Sequence, residues 1–133
     1  MKKTFLAVMA CITWGAPLGA QTVLTVAAYP AVDDIIRAAL PEWQKKHPQV
    51  QVKVVGREFA DHHTAMSTAL SASSGLPDVM TIEYGYLGRF AQSGGLQDLS
   101  QPPFGADRYQ NQFVPYAWAQ ARVESRGQTA MPT

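Results

Sequence analysis

Three short apolar runs recur along the chain, each followed by a stretch with helical spacing, and that alternation restricts the fold more than any other feature. Residues 23–28 (VLTVAA) are apolar and β-branched and end at Tyr29-Pro30, which reads as a buried strand. Asp33 and Asp34 then stand where negative charge suits a helix N-terminus. Ile36, Leu40, Trp43 and His47 follow at i, i+4, i+7 and i+11, which lays them on one helical face. Lys45 and Lys46 suit the C-terminal end of the dipole, and Pro48 stops the helix. Pro41 falls inside this pattern, where it costs ~3 kcal/mol, so a kink or two abutting helices is expected there.

Residues 50–55 (VQVKVV) alternate with period two and predict a second strand. Asp61 is the expected cap of a second helix whose buried face carries Met66 and Leu70, ending at Ser73-Ser74-Gly75. Residues 78–82 (DVMTI) predict a third strand. Residues 86–92 predict a short helix with Leu87 and Phe90 inward and Gly94-Gly95 at its C-terminal cap. Strand and helix in strict alternation imply an α/β fold, a parallel sheet with right-handed crossovers and helices on both faces. In the tail, residues 107–121 are helix-like but interrupted by Pro115. Arg126, Gly127 and Gln128 suggest a turn, and Thr129, Ala130 and Met131 the start of a further strand.

The N-terminal residues have a different character. Lys2 and Lys3 precede the uncharged, largely apolar residues 5–14, and Pro17, Gly19 and Ala20 lead up to Gln21. That is the layout of a secretory signal peptide over residues 1–20, cleaved after Ala20. The apolar run falls short of the ~20 residues needed to span a membrane. Cys11 in the run VMAC loosely matches a lipid-attachment box, but too little apolar segment precedes it, so periplasmic export is favoured over a lipid anchor. Cys11 is the single cysteine, so no intrachain disulfide and no thiolate zinc site can form. Removing Lys2 and Lys3 from the 11 basic residues leaves 9 against 10 acidic ones, and this near-neutral balance excludes charge-driven binding of nucleic acid. With 47% hydrophobic and 16% charged residues, the chain has the composition of an ordered domain.

The sequence has no dinucleotide or phosphate-loop fingerprint and no nucleophile elbow, so no cofactor is expected. His62 and His63 are adjacent and point about 100° apart on a helix, which disfavours a shared metal even with Glu58 and Asp61 nearby. They read instead as an exposed helix start, and His47 as a helix-end residue. In open parallel sheets, ligands bind outside the carboxyl ends of the strands. Those ends carry Tyr29, then Glu58 and Phe59, then Glu83, Tyr84 and Tyr86. Aromatic faces pack on the apolar face of a sugar ring, and a carboxylate accepts two hydroxyl hydrogens. The competing reading is that these aromatics only cover strand ends.

Several stretches in fixed order also carry a family resemblance. They are residues 43–48 (WQKKHP), 69–75 (ALSASSG), 76–80 (LPDVM) and 90–99 (FAQSGGLQDL). Together with the first two strands they resemble the family 1 extracellular solute-binding proteins of ABC importers, the maltose-binding-protein-like sugar-capture proteins. The resemblance covers residues 23–133 and implies the N-terminal lobe of a periplasmic-binding-protein-like (type II) fold. It also implies a monomeric sugar or oligosaccharide binder that delivers its solute to ABC permease subunits and makes or breaks no bond. Family members are several-fold longer, with ligand held between two lobes, so the chain is expected to be an N-terminal fragment. A secreted hydrolase using Glu58, Asp61 or Glu83 as acid or base is the competing class. A small secreted interaction domain, complete as it stands, is a third.

Overall fold

The structure, a computed structural model, describes residues 21–125 and 128–130. The expected signal peptide, Arg126, Gly127 and Met131 lie outside the described residues. β1 (Thr22–Ala28), α1 (Val32–Lys46), β2 (Val50–Gly56), α2 (Phe59–Ala72), β3 (Val79–Met80) and α3 (Tyr84–Gln92) follow in alternation. The sheet order is β2-β1-β3, with β1 parallel to both neighbours. The first crossover steps from β1 to one side, and the second passes back over β1 to the other. Right-handed connections that reverse direction in this way place α1 and α2 on opposite faces.

The core lies on the α2 face. Ala27 and its strand partner Met80 pack with Met66 and Leu70 of α2 and Phe90 of α3. α1 has no fully buried residue, although Ile36, Leu40 and Trp43 are half-buried where its apolar stripe meets the sheet. Pro41 lies inside this single helix, so the expected pair of abutting helices is not formed. His47 is its C-cap residue and stacks on Trp43 at 4.4 Å.

Three boundaries differ from expectation, two of them through a side chain that does the work of backbone. β3 is two residues long rather than five, and the Asp78 carboxylate takes the Thr25 N–H at 2.7 Å where a third strand's carbonyl would stand. α2 starts at Phe59 with Glu58 as N-cap residue, so Asp61 lies in the first turn and does not cap it. α3 begins two residues early because the Glu83 side chain caps it. The FAQSGG stretch ends α3 with Gly94 at φ 70°, a conformation that favours glycine, and a Cβ on Gly95 would stand 2.7 Å from Leu70 Cδ2 and push that side chain aside.

Beyond α3 come a 3-10 helix (Ala106–Gln112) and α4 (Pro115–Gln120), which buries Trp118 and takes Pro115 in its first turn. Pro115 therefore starts a helix where the sequence showed only an interruption. β4 (Val123–Ser125) and β5 (Gln128–Ala130) pair antiparallel as a separate two-stranded sheet.

Candidate functional site

Because the three strands are parallel, their carboxyl ends share one edge of the sheet, and the residues that leave it are brought side by side. Tyr29 follows β1, Phe59 opens α2, and Glu83 precedes α3. The Tyr29 ring meets Phe59 edge-on at 5.2 Å, and Phe59 meets Tyr86 at 5.8 Å. His63, one turn along α2 from Phe59, lies in the middle of the group. Its ring is 4.6 Å from Phe59 and 5.2 Å from Tyr29, and it stacks on Tyr86 at 4.0 Å. His63 itself is 2% exposed, whereas Phe59 is 40% exposed. The result is an aromatic floor with a buried histidine beneath it, each pair adding ~0.5–1.5 kcal/mol beyond simple area burial.

Glu83 sets the polar edge of this floor. Its Oε2 accepts the Gly85 N–H at 2.8 Å, which satisfies one of the free donors at the start of α3. A Cβ on Gly85 would stand 2.8 Å from that oxygen, so any other residue would displace the carboxylate. Tyr29 feels the arrangement: burial first, then the negative charge of Glu83, holds its phenol above the usual tyrosine range.

The remaining expected residues divide. Glu58 is exposed at the α2 N-terminus beside Phe59, and its side chain makes no capping hydrogen bond. Tyr84 points away from the group. It is 68% exposed and lines, with Ile82, Leu87, Ala117, Gln120 and Ala121, a cleft between α3 and α4. A second cleft, lined by Thr25, Val55, Arg57, Met66 and Leu76, lies over the β2 side of the sheet. Neither of these two clefts includes Phe59 or Glu83.

The histidine pair corrects the sequence reading. His62 and His63 are not an exposed helix start: they are 0% and 2% exposed. His62 Nε2 meets the Thr81 carbonyl at 2.7 Å. His63 Nδ1 meets the Phe59 carbonyl at 2.8 Å, and its Nε2 accepts the Glu83 N–H at 3.2 Å. Those nitrogens serve the backbone, and among the described residues no group of three or more His, Cys, Asp and Glu is placed to hold a metal ion. A signal for their burial was present. His62, Met66 and Leu70 stand at i, i+4 and i+8, and His63 joins the same face at i+3 and i+7 spacing.

A parallel sheet whose carboxyl-edge loops gather aromatic rings around a fixed carboxylate is the build of an α/β ligand-binding lobe. The chain belongs to the family described as bacterial extracellular solute-binding protein, whose pattern matches residues 27–132. Solved structures agree on the fold, which is periplasmic-binding-protein-like. The GacH receptor of Streptomyces glaucescens GLA.O, described unliganded and in complex with acarbose, is 30% identical, with a TM-score of 0.62 over 78% of this chain and 27% of its own. The ABC substrate-binding protein Lmo0181 from Listeria monocytogenes, in complex with cycloalternan, is 22% identical, with a TM-score of 0.62 over 81% of this chain and 27% of its own. An ABC transporter solute-binding protein from Agrobacterium vitis S4 with bound D-mannitol is 25% identical, with a TM-score of 0.63 over 78% and 25%. The chain thus spans about a quarter of the length of the structures it matches. No curated protein matches it. No helix among the described residues is long and apolar enough to cross a membrane.

Proposed function

We propose that this chain supplies the N-terminal lobe, residues 21–133, of a solute-binding protein that captures a sugar or oligosaccharide and delivers it to ABC permease subunits. Residues 1–20 direct export to the periplasm as a cleaved signal peptide. The observation that carries the sugar reading is the floor of Tyr29, Phe59 and Tyr86 beside the Glu83 carboxylate. Rings of this kind cover the apolar face of a pyranose, and a carboxylate at the rim accepts its hydroxyls. Glu58 stands beside Phe59, within the same rim, whereas Tyr84 turns from the floor toward the cleft between α3 and α4. Sugars and a sugar alcohol bound to related proteins favour the same solute class. A bound solute would be held against a second lobe. No bond is made or broken, and the hydrolase reading has less support because the Glu83 carboxylate is engaged at the α3 N-terminus.

The test replaces the matching quarter of a related maltooligosaccharide-binding protein with this lobe and measures affinity by calorimetry. Phe59→Ala removes a stacking face. Glu83→Asp shortens the carboxylate, withdrawing it from the rim while retaining a residue that caps helices well. Each should weaken binding about tenfold, equivalent to about 1.4 kcal/mol. Unchanged affinity in both would remove this surface from the site.

A further inference from the structure

We infer that His63 is the positioning residue of this surface, and that only its neutral, Nδ1-protonated form holds Phe59, Glu83 and Tyr86 in their binding arrangement. The inference rests on the sugar-surface reading above and goes beyond it by assigning a role to a buried residue and a proton to one of its nitrogens.

The hydrogen-bond partners fix the tautomer. The Phe59 carbonyl can only accept, so Nδ1 must carry the hydrogen across the 2.8 Å contact. The Glu83 backbone N–H can only donate, so Nε2 must present its lone pair at 3.2 Å. One imidazole thereby ties the first turn of α2 to the residue that caps α3, and its face seats Tyr86 at 4.0 Å with 21° between the planes. His62 adds a neighbouring tie from α2 to the Thr81 carbonyl at 2.7 Å. The backbone of Glu83 is held by His63 while its carboxylate is held by Gly85.

A second proton would place an N–H at Nε2 against the Glu83 N–H. Both donors would lose their partner inside a site where His63 is 2% exposed. The rings of Tyr29, Phe59, Tyr86 and His62 and the Glu83 backbone close around it. The opposed N–H groups decide the outcome, because relieving them requires the β3–α3 loop to move off His63. Acidification therefore releases Glu83 and Tyr86 from α2 and lowers solute affinity.

The experiment uses the full chain labelled with nitrogen-15. Imidazole spectra and backbone amides are followed by NMR between about pH 8 and pH 5, with maltose as the probe solute. At the high end His63 should show the Nδ1–H tautomer. On acidification the Glu83 amide and the Tyr86 ring should shift in step with His63, and maltose affinity should fall at least fivefold. His63→Gln keeps an acceptor for the Glu83 N–H without a titrating ring, so its Glu83 amide should stay fixed across the range. An Nε2–H tautomer, or a Glu83 amide that ignores the protonation of His63, overturns the inference. So does a Glu83 amide that still shifts in the Gln variant. If maltose perturbs nothing at any pH while Glu83 and His63 titrate together, the positioning role stands and the sugar reading falls.

Discussion

His62 shows what a single buried polar side chain does to stability. Its Nε2 reaches the Thr81 carbonyl, while Nδ1 has no hydrogen-bond partner, and the Thr81 hydroxyl beside it is likewise buried and unpartnered. Burial above all lowers the affinity of this ring for a proton. The Thr81 carbonyl works the other way, and His63 and Arg57 add to the lowering. The sign of the consequence follows from proton binding. Below the ordinary value of 6.5 the unfolded chain takes up a proton that folded His62 refuses. Stability from this residue is thus complete above that value and declines as the pH falls toward the lower folded value. Urea unfolding at a series of pH values should show this acid limb, and His62→Gln should flatten it; an equally steep limb in the variant would assign the loss to other groups. Glu83 teaches a related lesson. The sequence suggested a carboxylate at a strand end, available to a ligand's hydroxyls. Its bond to the Gly85 N–H makes it a helix cap as well, and Glu83→Ala should cost ~0.5–2 kcal/mol of stability before any ligand is considered.

Among the elements, α1 is the one with the largest internal conflict. Its amphipathic spacing, acidic start and basic end were legible in Ile36, Leu40, Trp43, Asp33 and Lys46, and the helix runs through Pro41 regardless. Proline there removes one backbone hydrogen bond and crowds the carbonyl four residues earlier. Pro41→Ala should raise stability by about 1–2 kcal/mol, less than the ~3 kcal/mol helix penalty because alanine also loosens the unfolded chain. A lowered urea midpoint would mean that the helix relies on the proline. Strand and helix identity was readable wherever periodicity ran over several turns, as in β1, β2, α1 and α2. The misread boundaries are those set by one long-range or unusual partner. Asp78 replaces strand pairing across 53 residues of sequence, and glutamate is not among the favoured capping residues, so neither β3 nor the start of α3 carries a local signal. The pairing of β4 with β5 rests on two three-residue strands, too short for alternation to show. The gathering of Tyr29, Phe59, Glu83 and Tyr86 at one sheet edge was readable from the rule that parallel strands collect their loops there. Tyr84 was not separable from its neighbours, because which way it leaves α3 depends on α4.

At the scale of the whole molecule, the same arrangement that forms the surface leaves much apolar area in water. The fully buried hydrophobic residues are few, α1 contributes none of them, and Ile35, Phe113, Val114, Tyr84 and Tyr116 are each more than half exposed. A melt of such a lobe is expected to be weakly cooperative and to say little about the site. Residue-resolved binding is the sharper measurement. The central claim is that solute meets this lobe on the rings and carboxylate at the carboxyl edge of the sheet. It is tested most directly by titrating maltose into the labelled chain and mapping amide shifts. The expected result is a contiguous patch comprising Tyr29, Phe59, Glu83, Gly85 and Tyr86, with the α1 amides unmoved. Shifts confined to the cleft between α3 and α4, around Leu87 and Ala117, or no shifts in a chain whose spectrum is dispersed and folded, would contradict it.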